Sequence, residues 1–157
     1  MTPSFQLVGI DHEPFESLFL LSDEALKEHH AERRIAAESP GYPCRVSLED
    51  AKVGEELLLL PYLHQPAASP YRASGPIFVR RAAKQRRLEV GEVSSYVTGR
   101  LMSVRAYDKA HMIVAASVCE GMLVAKRLES YFGNDQVDYI HLHNAERGCF
   151  SCQVIRA

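Results

Sequence analysis

"YIHLHNAERGCFSC", residues 139–152, is the stretch on which the fold of this chain turns. Apolar and polar side chains alternate on both sides of a short polar break, the pattern of two strands joined as a hairpin. Along the first strand Ile140 and Leu142 point one way, and Tyr139, His141 and His143 the other. Along the second, Phe150, Cys152 and Val154 share one face, and Cys149, Ser151 and Gln153 the opposite one. With a turn over 144–148, His143 faces Cys149 and His141 faces Ser151. Every apolar residue then falls on one side. A slip by one residue would set Phe150 beside the histidines, so the pattern selects this register.

That register puts His141, His143 and Cys149 in one polar patch, with the imidazoles roughly 6.6–7 Å apart along the strand. Cys152 points into the core, so a four-ligand zinc site from both histidines and both cysteines is not expected. A thioredoxin-type CxxC needs a helix starting at the pair, and "QVIRA" offers no room for one. Four readings of the patch stay open. The imidazoles and nearby arginines hold an anion. Or Cys149 is a nucleophile whose thiolate an imidazolium favours, with His143 as its base. Or two histidines and a thiolate bind a catalytic zinc with an open fourth position. Or the face is structural, or packs on a partner or a second copy.

Outward from the hairpin, "RLMSVRAYD" (100–108) alternates Met102, Val104 and Ala106 against Ser103, Arg105 and Tyr107, and "MIVAASVC" (112–119) follows a turn; the two make a second hairpin. "GMLVAKRLESYFGN" (121–134) carries an apolar stripe of Leu123, Val124, Leu128, Tyr131 and Phe132, with Gly133-Asn134 as a helix stop. "GEVSSYVTG" (91–99) reads as a short helix ended by Gly99. Ser22 reads as the N-cap of a helix to about Ala31. "FQLVGI" (5–10), "CRVSL" (44–48), "EELLLLPY" (55–62) and "IFVRR" (77–81) read as strands. Between the last two, Pro61, Pro66, Pro70 and Pro76 predict an irregular loop over 61–76, long enough to serve as a binding loop. It carries His64, Tyr71, Arg72 and Ser74. The order strand–strand–helix–strand–strand in the second half predicts an α+β fold: one mostly antiparallel sheet with two or three helices packed on one side.

The bulk numbers bound the function. The length, 157 residues, suits a single domain spanning 1–157. A formal charge of −2 gives no pull toward nucleic acid or an anionic membrane. "RRAAKQRR" (80–87) is a solvated loop on this reading. No apolar run approaches ~18 residues, so no membrane span is expected. The N-terminus lacks the pattern of a secretory signal, which predicts a cytoplasmic location with reduced thiols for the four cysteines. There is no Gly-rich phosphate loop, HExxH or GxSxG.

"GYPCRVSLEDAKVGEELLLLPYLHQ", "SPYRASGPIFVR", "RLMSVRAYD" and "YIHLHNAERGCFSCQVIRA" together resemble a small bacterial family of about this length, known only as a domain of unknown function. The resemblance runs from about Phe5 to Ala157. It implies a bacterial, single-domain protein and brings no activity, cofactor or catalytic residue. It also implies a cysteine at the place of Cys149, with the place of Cys152 often filled otherwise.

The expectation from all of this is a cleft for a small anionic molecule. It would be built on His141, His143 and Cys149 and covered by His64, Tyr71, Arg72 and Ser74, with Arg105 and Arg45 as further candidates. Whether it is an enzyme stays open; if so, Cys149 and His143 would be catalytic. No cofactor is expected, zinc being the one alternative. No nucleic-acid or membrane partner is expected. The competing expectation is a protein-interaction or self-association module, such as a homodimer.

Overall fold

Strands outweigh helices by 38% to 20% in the computed structural model of the chain, which describes residues 2–157. Among the described residues they form two five-stranded sheets. In the first, β1 (Phe5–Val8), β10 (Phe150–Arg156), β9 (Tyr139–Asn144), β7 (Leu101–Tyr107) and β8 (Ile113–Glu120) lie in that order, all antiparallel. In the second the order is β2 (Glu32–Ile35), β5 (Glu56–Gln65), β6 (Ala73–Arg80), β3 (Pro43–Cys44) and β4 (Glu49–Asp50), with β3 parallel to β6. The helices are short: α1 (Glu13–Glu16), α2 (Asp23–Leu26), α3 (Ser95–Thr98) and α4 (Val124–Phe132).

This overturns the expected α+β architecture of one sheet with two or three helices on one side. The second-half elements form where expected, including α4 with Gly133 at its end and α3 ended by Gly99. The first half, however, builds a sheet of its own. Ser22 does cap a helix, its Oγ accepting from the Ala25 N–H at 3.1 Å. That helix stops after one turn, passes through a 3₁₀ turn and ends at His30 in the left-handed region.

The prolines at 61–76 leave both strands intact. β5 runs on through Pro61 to Gln65, and Pro61 faces Pro76 on β6. β2 covers β5 only from Glu56 to Leu59 and β3 meets β6 only at Phe78, so Pro61 and Pro76 each stand where the ribbon has a free outer edge and no ladder donor is needed. The irregular connection shrinks to residues 66–72. "CRVSL" also departs from expectation: the strand ends at Cys44, and residues 45–48 form a buried turn, with Leu48 at φ +55°.

Two cores result. One face of the first sheet, with Met102, Val104, Ile140, Leu142, Cys152 and Val154, packs against Val124, Leu128 and Phe132 of α4 and against Tyr96. The second sheet packs Val46, Leu58, Leu60, Ile77 and Val79 against Phe15, Phe19 and Leu26. Phe150 joins this second core while Cys152, two residues later on the same strand, belongs to the first. β10 thus ties the sheets together.

Candidate functional site

Phe150 and Cys152 reach opposite cores because β10 is bulged between them. His143 faces Phe150, Ser151 is skipped, and Cys152 then faces Leu142 and Gln153 faces His141. The one-residue slip that the hairpin pattern argued against therefore occurs at Phe150, and the bulge adds a second residue of shift, so that Cys152 and Val154 regain the apolar face while His141 faces Gln153 in place of the expected Ser151. Two carbonyls at the bulge find partners outside the sheet. Ser151 O accepts from the Tyr96 hydroxyl at 2.9 Å, and Phe150 O accepts from Arg45 Nε at 2.8 Å.

With Phe150 beside them, the histidines are not in an open polar patch. His141 and His143 are 2% and 1% exposed. The far half of the β5–β6 ribbon lies over them. His64 stacks on Phe150 with ring centroids 5.3 Å apart, and meets His143 edge-on at 5.0 Å. Gln65 Nε2 donates to the Tyr139 hydroxyl at 2.9 Å, and Tyr71 meets Tyr107 edge-on. Burial, helped by His143, His64 and Arg105, lowers the pKa of His141 to about 3. Burial also lowers that of His143 to about 4, against an opposing pull from the Gly148 carbonyl. His64 is lowered in the same way, by burial first and then by Arg105. All three are neutral imidazoles at pH 7. His143 is held by a contact of Nδ1 with Gly148 O at 2.9 Å and of Nε2 with Arg105 Nη1 at 3.5 Å. A proton on Nδ1 satisfies both, since Nε2 then accepts. Nδ1 of His64 and Nδ1 of His141 have no hydrogen-bond partner among the described residues.

Cys149 goes elsewhere. Gly148, at φ +80°, takes a left-handed turn that a side chain would oppose, and the chain re-enters the ladder at Cys149, whose carbonyl accepts from Asn144 N–H at 2.9 Å. The sulfur is half-buried. Arg45 Nη2 donates to it at 3.0 Å and Asn144 Nδ2 approaches at 3.7 Å. The predicted pairing of Cys149 with His143 is absent: His143 faces Phe150 across the ladder, and both of its ring nitrogens are engaged by other groups. The charged neighbour of this sulfur is an arginine.

Arg45 is only 1% exposed. Its segment is clamped by close backbone approach: Ile10 N–H donates to Arg45 O at 3.0 Å, and a Cβ on Gly9 would stand 2.1 Å from Val46 O. The guanidinium donates to Phe150 O, to Pro43 O at 2.6 Å and to Cys149 Sγ. No carboxylate oxygen among the described residues lies within 4.0 Å of it, whereas Arg100 has Asp50 at 2.5 Å and Arg34 has Glu32 at 2.5 Å. Arg45 and Cys149 line a cleft of about 610 Å³ where the β9–β10 turn meets β3 and β6. Arg34, Arg100, Arg147 and Asn144 line it too. That volume falls in the usual range for small-molecule sites.

The residues predicted from sequence therefore divide. His64, His141 and His143 come together around Phe150, with Arg105 at one edge and Tyr71 nearby through Tyr107. Arg45 and Cys149 come together at the cleft. Arg72 is turned back on its own loop, donating to Pro66 O, and Ser74 is exposed on β6 outside the cleft. Sequence reasoning missed Asn144, Arg147 and Arg34. Asn144 and Arg147 sit inside the quoted hairpin stretch, and their polar character there was the available signal. Nothing in the sequence brings Arg34 to this cleft. Among the described residues, no three His, Cys, Asp or Glu side chains are placed to hold one metal ion.

Residues 41–156 match a family described as a protein of unknown function, DUF1203. The chain belongs to the DUF1203 family. The match takes in Arg45, Cys149 and the three clustered histidines, while Arg34 lies ahead of it. No curated protein and no solved structure matches the chain. No helix among the described residues is long and apolar enough to cross a membrane.

Proposed function

We propose that this DUF1203 protein binds a small anionic molecule in the cleft between Arg45, Arg100 and Arg147, with Cys149 in its wall. One observation carries the reading: a buried guanidinium that lines a cleft and has no carboxylate partner among the described residues. A buried unpaired charge costs several kcal/mol, and an anion in the cleft would offset that cost. Arginine forks suit carboxylates and phosphates. Arg45 has five N–H donors, and its three hydrogen bonds leave two free. The free state of all four cysteines supports a reducing, cytoplasmic setting.

The test is thermal unfolding of the whole chain against inorganic phosphate, sulfate and small mono- and dicarboxylates, each compared with potassium chloride at equal ionic strength. At least one anion should raise the midpoint in a saturable way, since a ligand for the native state stabilises as RT ln(1 + [L]/Kd). The exposed substitution Arg147→Glu should weaken that response. A response no larger than chloride's, for every anion tried, rejects the reading.

A second reading, self-association, is favoured by β8. It is a sheet edge of eight residues, uncharged from Ile113 to Cys119, with Val114 and Val118 exposed on one face. Edge strands usually carry charges that block pairing. A second copy of the same strand, set antiparallel, is the occupant that fits a bare edge of this kind.

A further inference from the structure

We infer that Cys149 exchanges with low-molecular-weight disulfides that carry carboxylates, taking one half as a mixed disulfide in the Arg45 cleft. The inference rests on the anion reading above and names the substrate class for that cleft. The sulfur of Cys149, as thiolate, attacks one sulfur of R–S–S–R. A Cys149–S–S–R bond forms, the R–S–S–R bond breaks, and the electron pair leaves on R–S⁻. The proton of Cys149 goes to water. The disulfide is itself the oxidant, so no further co-reactant is needed.

Position singles out this thiol. Cys44 and Cys152 are fully buried and Cys119 nearly so, while Cys149 is half-buried and opens on a cleft. Burial pushes the Cys152 thiol up to about 12 and raises Cys119 as well, which leaves both poor nucleophiles at neutral pH. Independent of the cysteine, Arg45 is a polar side chain more than nine-tenths buried, with two N–H groups lacking an acceptor among the described residues. It lines the same cleft and directs Nη2 at Sγ. A fixed positive charge there draws an incoming carboxylate to the side of the cleft that holds the sulfur.

The surroundings also select the reaction. Acyl and phosphoryl transfer to a thiol generally need a proton donor for the leaving group. The side chains hydrogen-bonded to Cys149 are Arg45 and Asn144. His143, the nearest imidazole in sequence, is held by Gly148 and Arg105 and is neutral by burial. Glu146 and Glu38, the carboxylates of the cleft, are exposed. A thiolate leaving group needs no proton, so disulfide exchange is the chemistry this setting serves. The second half of the exchange has no protein thiol to perform it. Cys152 lies in the opposite core, and Cys44 is fully buried with its sulfur accepting from Arg80 N–H. The mixed disulfide therefore persists until an external thiol removes it.

The experiment uses the whole reduced chain, with oxidised glutathione as the anionic probe and bis(2-hydroxyethyl) disulfide as the neutral one. Intact mass and peptide mapping follow the product. One adduct should form, at Cys149, and Cys149→Ser should abolish it. Relative to 2-mercaptoethanol as reference thiol, the anionic probe should be preferred by about tenfold, the low end of electrostatic steering. Phosphate and salt should erode that preference, and Arg147→Glu should reduce it without touching the buried Arg45. Anions that raise the unfolding midpoint while Cys149 stays unmodified would overturn the exchange and leave the anion reading standing. Modification with no preference for the anionic probe would overturn the proposed substrate class. If no anion shifted the midpoint either, the anion reading would fall with it.

Discussion

His141 and His143 show how burial sets the chemistry of a side chain. Placed on a strand next to a cysteine, they look like acid–base groups. Covered by His64, Phe150 and Tyr107, they cannot take up protons at physiological pH. The consequence is acid lability. The unfolded chain binds protons at both histidines near pH 6.5, and the folded chain binds them only near pH 3 and 4. The stability they contribute is present above about pH 6.5 and is lost as pH falls toward the folded values. The slope is about 1.4 kcal/mol per pH unit for each histidine. Between pH 7 and pH 5 each should cost about 2 kcal/mol on that slope. Urea unfolding at pH 7, 6 and 5 reads this directly, and His141→Phe should remove about one histidine's share of the slope. A wild-type stability unchanged down to pH 5 would contradict the buried, neutral assignment.

At the scale of elements, the bulge in β10 makes the site. It turns Phe150 toward the second sheet, returns Cys152 to the first core, and presents Phe150 O and Ser151 O to Arg45 and Tyr96. Tyr96 is 1% exposed, so its hydroxyl has little recourse to water. Removing that hydroxyl in Tyr96→Phe leaves a buried carbonyl unpaired and should destabilise by about 1–3 kcal/mol. Urea denaturation checks the figure. A neutral result would mean that Ser151 O finds another donor and that the bulge needs no support from α3. The hairpin was legible in sequence to the extent of two strands, a turn near 144–148 and the inward Cys152. The bulge was not, because an alternation rule assigns a face to each residue on the premise that one face is wet. Here both faces of β9 are buried, and every residue from Tyr139 to His143 is inside. Hydrophobicity then no longer fixes the register.

At the scale of the whole molecule, the bare β8 edge is the feature with a consequence. If two copies join there, the joined sheet should dissociate when a charge is set in its middle. Sedimentation of the wild-type chain should show a dimer, and Val118→Lys, at a position 58% exposed, should shift it to monomer with little loss of stability. A wild-type chain that sediments as a monomer at all concentrations would dismiss the second reading. The two-sheet architecture also explains why the site was only half legible. Arg45 and Cys149 are 104 residues apart, and β10 with the buried turn at 45–48 brings them together.

By itself the sequence determined most of the local elements: the strands of both hairpins in the second half, α4 with its glycine stop, the Ser22 cap, and the burial of Cys152. These follow from periodicity and end signals within a dozen residues. Only the tertiary structure decided which side of β9 would be covered, that Pro61 and Pro76 could stand in strands, and that the partner of Cys149 would be Arg45. Each of those depends on what a distant segment places against the residue, and a desolvated surface carries no mark in its own sequence of the segment that covers it.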